Sequence, residues 1–127
     1  MVLNALAGIA AGYALGMNDE EIKAGIEALV PLAGRNNLIE TDSLTIIDDC
    51  YNANPASTKA SLDVLAKADT RQVAVLGDMF ELGPTEKQMH YEVGKYAADL
   101  GIDILVCIGQ LSEHMATGAS EQCSKTQ

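Results

Sequence analysis

The stretch Leu44 to Pro55 (LTIIDDCYNANP) decides the fold, because it passes from an apolar run through a polar loop to a helix start. Its first residues, LTII, are rich in β-branched side chains and predict a short strand that ends at Asp48-Asp49. Asn54-Pro55 suits the cap and first turn of a helix, which we expect over residues 55–68. A strand that feeds a helix through a polar loop is typical of α/β proteins.

The same alternation continues toward the C-terminus. Val73 to Leu76 (VAVL) predicts a second strand that ends at Gly77-Asp78, and Ile102 to Ile108 predicts a third. One helix, capped by Thr85 and Gln88, is expected between these strands, and another is expected from Leu111. Near-continuous apolar strands that alternate with helices indicate a parallel sheet. We therefore predict an α/β fold with a partial Rossmann-like parallel sheet, in which three strands are joined by crossover helices.

The N-terminal segment has a different pattern. Leu3 to Leu15 is rich in alanine, with apolar residues at helical spacing. Asn18 and Glu21 form a capping-box pattern for a second helix, which we expect over Asp19 to Leu29. Because only a few residues separate the two segments, they predict a helical hairpin.

Breaks in the helical pattern at Pro31 and Gly34 place a domain boundary near residues 32–35. We expect residues 1–32 to be the C-terminal helices of an adjoining domain and residues 33–127 to be the first part of an α/β domain. A doubly wound fold normally has five or six strands, so the sheet is expected to be incomplete. The polar tail from Ser120 to Gln127 is expected to be frayed.

Composition restricts the classes of function. The net charge of −10, with only eight Lys and Arg residues, disfavours binding to nucleic acid or to an anionic membrane surface. Three cysteines leave one unpaired in any disulfide scheme, which favours a reducing, intracellular compartment. The apolar start, Val2 to Leu15, lacks the basic flank of a signal peptide and is too short to span a bilayer.

Candidate binding residues follow from the predicted sheet, because ligands of open parallel sheets bind at the carboxyl ends of the strands. Asp49 lies at such an end, where a carboxylate can accept both ribose hydroxyls; a loop carboxylate that caps a turn is an equally good interpretation. Arg35 could reach a phosphate from the linker, or could be a solvated side chain. Asn4 lies among alanines, where a carboxamide faces either solvent or a polar ligand.

Other chemistries have less support in the sequence. No G-x-G-x-x-G or G-x-x-x-x-G-K-[ST] pattern is present, so this chain is not expected to supply a phosphate cradle. His90 and His114 lack metal-ligand spacing, and His90 is expected to be a surface or capping residue. Asp48-Asp49 with Asp78 imitate the acidic pocket of a two-component receiver domain, which is one alternative; a non-catalytic interaction module is another.

Four motifs together resemble the Mur ligases. In chain order they are Asn4 to Ala7 (NALA), Gly34-Arg35, Asp48 to Pro55 (DDCYNANP) and Leu76 to Gly83 (LGDMFELG). The resemblance runs from Leu3 to about Gly118, and the combination of YNANP with LGDMFELG at this spacing is specific.

This resemblance implies a cytoplasmic, ATP-dependent amide ligase of peptidoglycan synthesis. Such an enzyme would add D-alanyl-D-alanine to UDP-MurNAc-tripeptide through an acyl phosphate, with ATP and Mg²⁺. Residues 1–32 would then be the end of the central ATPase domain, and residues 33–127 the first half of the C-terminal domain. The phosphate-binding loop, the metal ligands and the active-site lysine of the family would precede Met1. This chain alone is therefore expected to be inactive.

The resemblance also implies roles for individual residues. Asn4 would contact the adenine, and Arg35 would reach the nucleotide as the C-terminal domain closes. Asp49 would hold the ribose, while Asn52 and Asn54 would help to position the substrate or the nucleotide. No catalytic residue and no metal ligand is assigned within the chain. Open sheet edges further predict a homodimer of the isolated chain.

Overall fold

The computed structural model describes residues 2–30 and 33–125. The chain divides into two compact units, Met1–Leu32 and Ala33–Gln127. The first unit contains α1 (Val2–Ala14) and α2 (Asp19–Glu27). The elements of the second unit are β1 (Asn37–Glu40), β2 (Thr45–Asp48), α3 (Pro55–Leu65), β3 (Val73–Gly77), α4 (Glu86–Asp99), β4 (Ile104–Ile108) and α5 (Glu113–Lys125).

The first unit is the predicted helical hairpin. The Asn18 side chain accepts the Glu21 N–H at 2.9 Å and the Glu21 carboxylate accepts the Asn18 N–H at 2.9 Å, which confirms the capping box. Ile22 is buried, and Gly12 lets it approach α1, because a Cβ there would lie 2.9 Å from the Ile22 side chain. Within the described residues, no helix is both long and apolar enough to cross a membrane.

The second unit has the predicted α/β class with a parallel sheet. β3 and β4 pair in parallel, from Val73 opposite Ile104 to Gly77 opposite Ile108, and α4 lies between them in the chain. The helix α4 starts directly after Thr85, as expected, although the Thr85 side chain makes no capping hydrogen bond. A short 3-10 turn over Gly83–Thr85 leads into the helix instead.

The prediction of three parallel strands needs a correction. In the described part of the chain, β2 pairs with β1 in an antiparallel hairpin, with Leu38 opposite Ile47. No strand is predicted before Leu44, so β1 is an addition to the expected elements. The hairpin forms because Thr41 closes a short loop: its N–H donates to the Leu44 carbonyl, and its hydroxyl accepts the Leu44 N–H, both at 2.9 Å. A partner so close in sequence has a small entropic cost of loop closure.

The core of the second unit lies between one face of the parallel sheet and the helices. Met79, Val93 and Met115 are essentially fully buried within it. The remaining buried members of the cluster are Leu62, Ala74 and Ala97. Alternation along β3 fits this arrangement, because Ala74 is buried while Val75 is exposed. The opposite face of the sheet is therefore apolar and exposed.

The helix α5 runs to Lys125, so the prediction of a frayed tail from Ser120 is wrong for the described residues. Three hydrogen bonds explain the longer helix. The Ser120 and Ser124 hydroxyls donate to carbonyls one turn earlier, at 2.9 Å each, and Tyr91 of α4 donates its hydroxyl to Glu121 at 2.7 Å. The polar tail residues thus hold the end of α5 against α4.

Two glycines allow the close approach of α4 and α5. A Cβ at Gly94 would lie 1.8 Å from the Met115 carbonyl oxygen, and a Cβ at Gly118 would lie 2.1 Å from the Tyr91 carbonyl oxygen. Both distances are far inside van der Waals contact, so neither position has room for a side chain.

We predict that Gly94→Ala destabilises the second unit, because the added methyl group must push α5 away from α4. The expected loss in free energy of unfolding is about 1–3 kcal/mol. Urea denaturation followed by circular dichroism measures it. Gly77→Ala is the matched control, since a Cβ there would lie 3.9 Å from the Ile108 carbonyl oxygen, an ordinary contact. Equal stability of Gly94→Ala and wild type would contradict the close packing of these helices.

Candidate functional site

Asp49, a residue of the predicted site, lies directly after β2 and bonds to two separate parts of the chain. One carboxylate oxygen accepts the Asn36 N–H at 2.9 Å, and the other accepts the Ser61 hydroxyl at 2.6 Å. Asp49 therefore ties the turn at residues 34–36, called the linker turn below, to α3, which agrees with the interpretation as a loop carboxylate. A carboxylate has about four acceptor positions, so two further hydrogen bonds from a ligand remain chemically possible. The ribose role of Asp49 stays a prediction.

Asp48 holds the other side of the linker turn. Its carboxylate accepts the Gly34 N–H at 3.1 Å. A hydrogen bond from the Cys50 thiol is the main cause that holds the pKa of Asp48 below its ordinary value. Burial raises this pKa, and the Gly34 and Cys50 N–H groups lower it further. The same hydrogen bond and the negative charge of Asp48 raise the pKa of the exposed Cys50 thiol.

The linker turn itself has an unusual backbone. Gly34 has φ +74° and Asn36 has φ +51°, so left-handed residues lie on both sides of Arg35. The Tyr51 N–H donates to the Gly34 carbonyl at 2.9 Å, and a Cβ at Gly34 would lie 3.1 Å from the Tyr51 nitrogen. Glycine is favoured at position 34 because the left-handed conformation and the close approach together disfavour a side chain.

Arg35 lies over Tyr51, with its guanidinium carbon 4.2 Å from the ring centroid. This distance is within the range of a cation–π contact. The structure thus brings Arg35, Asp49 and the YNANP loop together in the second unit through the linker turn. It places Asn4 as an exposed residue of α1 in the first unit, where its adenine role stays a prediction.

The two asparagines of the loop differ in their surroundings. The Asn54 side-chain oxygen accepts the Ser57 N–H at 2.9 Å and the Ser57 hydroxyl accepts the Asn54 N–H at 3.1 Å, so Asn54 is the N-cap of α3, as predicted. The amide NH₂ of its side chain and one further acceptor position on its oxygen are then left to meet a ligand. Asn52 is exposed on the loop. Their binding roles stay predictions.

A second polar anchor forms where β3 ends. Asp78 accepts the Ser112 N–H at 2.7 Å and the Ser112 hydroxyl at 2.6 Å, which joins the end of β3 to the start of α5. The Ser112 hydroxyl is the main cause of a lowered Asp78 pKa, with help from the N–H groups of Ser112, Leu111 and Gln110 and against the effect of burial. The carboxylate stabilises the turn before α5.

His90 was expected to be a surface or capping residue, and the surface alternative is wrong. The side chain is fully buried, Nε2 accepts the Met79 N–H at 2.9 Å, and Nδ1 lies 2.7 Å from the Glu86 carbonyl oxygen. The ring therefore bears its proton on Nδ1 and fixes the loop after β3. The helical spacing of His90 with Val93 and Ala97 is the signal in the sequence for its burial, because all three lie on one face of α4.

The loop that His90 holds has an exposed tip. Met79 is buried beneath it, and the Thr58 hydroxyl of α3 lies 3.7 Å from the Met79 sulfur. Phe80 is 71% exposed and Glu81 has φ +62°. The first turn of α3, which follows the YNANP motif, therefore meets the loop after β3.

The acidic pocket of a receiver domain is not formed here. Asp48 and Asp49 follow β2, which pairs with β1, whereas Asp78 follows β3 of the other sheet and binds Ser112. Across residues 2–30 and 33–125, no group of three or more His, Cys, Asp or Glu side chains could hold a metal ion.

Comparison with known proteins decides the family. A sequence profile described as the Mur ligase, glutamate ligase domain, matches residues 34–126. The chain belongs to the Mur ligase family. This confirms the resemblance that the four motifs carried, and nothing in the comparisons supports a receiver or interaction module.

Individual relatives of this Mur ligase chain share a narrower description. It is 39% identical over 127 residues to the UDP-N-acetylmuramoyl-tripeptide–D-alanyl-D-alanine ligase of Bacillus subtilis. The match covers 98% of this chain and 28% of the relative. The Escherichia coli ligase of the same name is 36% identical over 119 residues, which is 93% of this chain and 26% of the relative. The chain thus spans just over a quarter of the length of these relatives.

Solved structures agree with the sequence matches. One crystal structure of MurF from Acinetobacter baumannii matches with a TM-score of 0.87 and 38% identity, covering 96% of this chain and 27% of that one. A second crystal structure of the same protein matches with a TM-score of 0.85 and 39% identity, covering 94% and 26%. The α/β fold class is therefore confirmed by comparison as well as by the strands and helices themselves.

We predict that Asp78→Asn lowers the free energy of unfolding at pH 7 by about 1–3 kcal/mol, because it weakens hydrogen bonds to a charged acceptor. The pKa of Asp78 is lowered by folding, so its contribution is present at neutral pH and is lost as the pH falls through the folded-state value. Urea denaturation at a series of pH values should show the wild type and the variant converge in acid.

Asp69→Asn is the control for this series, because it neutralises an exposed carboxylate in the same unit. A gap between wild type and Asp78→Asn that stayed constant down to the acid limit would show that the charge of Asp78 is irrelevant.

Proposed function

We propose that this chain is part of a cytoplasmic, ATP-dependent ligase that adds D-alanyl-D-alanine to UDP-MurNAc-tripeptide in peptidoglycan synthesis. The observation that carries the proposal is 39% identity across 98% of the chain to a relative with that name. The Treponema pallidum ligase of the same name is 46% identical over 96 residues, and this match also supports the proposal.

The reaction class explains why a nucleotide is needed. A peptide carboxylate is a poor electrophile, and it becomes reactive when one oxygen is converted into a phosphate leaving group. The amine of the dipeptide then attacks and forms the amide. ATP supplies the phosphate, and Mg²⁺ supplies charge stabilisation for this chemistry when bound. We assign the metal ligands and the phosphate-binding loop to parts of the ligase outside this chain.

The residues of this chain would bind and orient the nucleotide. Asp49 is the ligand for the ribose hydroxyls, because its two oxygens each retain acceptor capacity beside the linker turn. Arg35 is the ligand for phosphate, since its planar guanidinium presents several N–H donors. Asn4 would contact the adenine, and Asn52 and Asn54 would help to position the nucleotide or the peptide from the YNANP loop.

A chimaeric enzyme tests this proposal. This 127-residue chain would replace the matched segment of the Bacillus subtilis relative, and ligation of D-alanyl-D-alanine to UDP-MurNAc-tripeptide would be followed by ADP release. We expect an active ligase. A folded but inactive chimaera would argue against the proposed function.

In that chimaera, Asp49→Ala is expected to raise the KM for ATP about 10-fold or more, because hydrogen bonds to a charged group are lost. Ser61→Ala is the matched control. It removes the hydrogen bond that holds Asp49 in place but keeps the carboxylate, so it separates a binding role from a structural one. If Ser61→Ala raised the KM for ATP as much as Asp49→Ala, or if neither changed it, the ribose role would be wrong.

We further propose that the isolated chain dimerises through its open sheet edges. Each of the two sheets in the described residues has two strands, and the outer face of the parallel sheet exposes Val75 by 61% and Ile108 by 60%. Unpaired strand edges and an uncovered apolar face both favour association.

Light scattering after size exclusion should give twice the monomer mass of 13.4 kDa. Val75→Lys is expected to shift the chain to monomer, because a charge blocks the strand edge and the apolar face. Val64→Lys, on the exposed side of α3, is the control and should leave the dimer intact. A monomeric wild type would refute dimerisation.

A further inference from the structure

The linker turn that carries Arg35 is held on both sides by the end of β2. Before Arg35, the Gly34 N–H donates to Asp48 at 3.1 Å and the Gly34 carbonyl accepts the Tyr51 N–H at 2.9 Å. After it, the Asn36 N–H donates to Asp49 at 2.9 Å. Two left-handed residues persist in so short a turn only because these bonds determine the backbone. The Cα of Arg35 is thus fixed relative to the YNANP loop.

The side chain of Arg35 has one described contact that limits its freedom, the Tyr51 ring at 4.2 Å. Tyr51 is 67% exposed and does not belong to the core cluster of the second unit. Burial therefore gives little reason for an aromatic residue at this position. The Arg35 guanidinium is the partner that the structure gives to the ring.

We propose that Tyr51 is a positioning residue for Arg35, which it holds over the YNANP loop in readiness for the phosphates of a nucleotide. This inference rests on the function proposed above. A guanidinium that packs its face on an aromatic ring keeps the N–H donors at its edge available, and phosphate oxygens can accept them. A lysine could not divide its surface in this way, because an ammonium group has no separate face and edge.

Positioning of this kind affects affinity through entropy. An exposed arginine loses side-chain freedom when it binds a ligand, and a side chain that is already restricted loses less. An exposed cation–π contact is worth about 0.5–1 kcal/mol, which corresponds to about 2- to 5-fold in affinity. The effect of Tyr51 should therefore be small, and it should depend wholly on Arg35.

Proton NMR of the 127-residue chain measures the stacking directly. Arg35 side-chain protons that lie over the Tyr51 ring should be shifted upfield by the ring current. Tyr51→Phe should keep this shift, and Tyr51→Leu should remove it. Arg35 protons at unshifted positions in the wild type would overturn the proposal. Lys59→Ala is the control, because it removes the cation that lies 5.3 Å from the centroid of a different ring, Tyr96.

The chimaeric ligase measures the consequence for nucleotide binding. Tyr51→Leu is expected to raise the KM for ATP about 2- to 5-fold, leave the KM for D-alanyl-D-alanine unchanged, and be rescued by Tyr51→Phe. In an Arg35→Ala background, Tyr51→Leu should have no further effect on the KM for ATP. A purely structural role for Tyr51 would change both KM values and would persist without Arg35.

The outcomes separate this inference from the function on which it rests. If Arg35→Ala raises the KM for ATP and Tyr51→Leu does not, positioning by Tyr51 is wrong while the nucleotide role of Arg35 stands. If Arg35→Ala leaves the KM unchanged in an active chimaera, that role is wrong and the inference fails with it. An inactive chimaera counts against the ligase proposal, and the NMR shifts still decide whether Tyr51 holds Arg35.

Discussion

The hydrogen bonds from the linker turn to Asp48 and Asp49 are the constraint on which the candidate site depends. Each carboxylate accepts one backbone N–H of the turn, at Gly34 and at Asn36. Such charge-assisted bonds are stronger than neutral ones, which suits a turn with two left-handed residues. Because Ser61 of α3 also donates to Asp49, this carboxylate joins the linker turn, at the start of the second unit, to α3. The arrangement of Arg35 and the YNANP loop follows from it.

A similar device appears at the end of β3. Asp78 binds the turn that precedes α5, and His90 binds the Met79 N–H from α4. Polar side chains thus fix the loops after β2 and after β3, while the apolar cluster below them fixes the sheet and the helices. Loop residues such as Tyr51 and Phe80 are turned toward solvent above this framework.

Much of the fold could be predicted from the sequence because local patterns determine it. The capping boxes at Asn18 and Asn54 and the apolar runs of β3 and β4 are signals that involve neighbouring residues only. The pairing of β2 was not predictable in this way. Leu38 to Glu40 is too short and too polar at its end to give a strand signal, so its partner strand was assigned to the parallel sheet.

The site was predictable in composition and less so in geometry. Asp49, Arg35 and the asparagines were found because they lie at a strand end, in a linker and in a specific motif. Their mutual contacts depend on residues that carry no local signal, such as Ser61 of α3. Tyr51 carries no local signal either, because the role of an exposed loop tyrosine depends on the position of its cationic neighbour, which the sequence does not give.

The hydrogen bond between Cys50 and Asp48 has a consequence for chemical labelling. Cys50 is exposed, so accessibility alone would recommend it as an attachment point for a spectroscopic probe. The carboxylate beside it raises the pKa of this thiol, and alkylating reagents attack the thiolate, so we expect modification at neutral pH to be slower than at an ordinary exposed cysteine. A reagent that did react would also remove one donor from Asp48 and disturb the turn to which that side chain is bound.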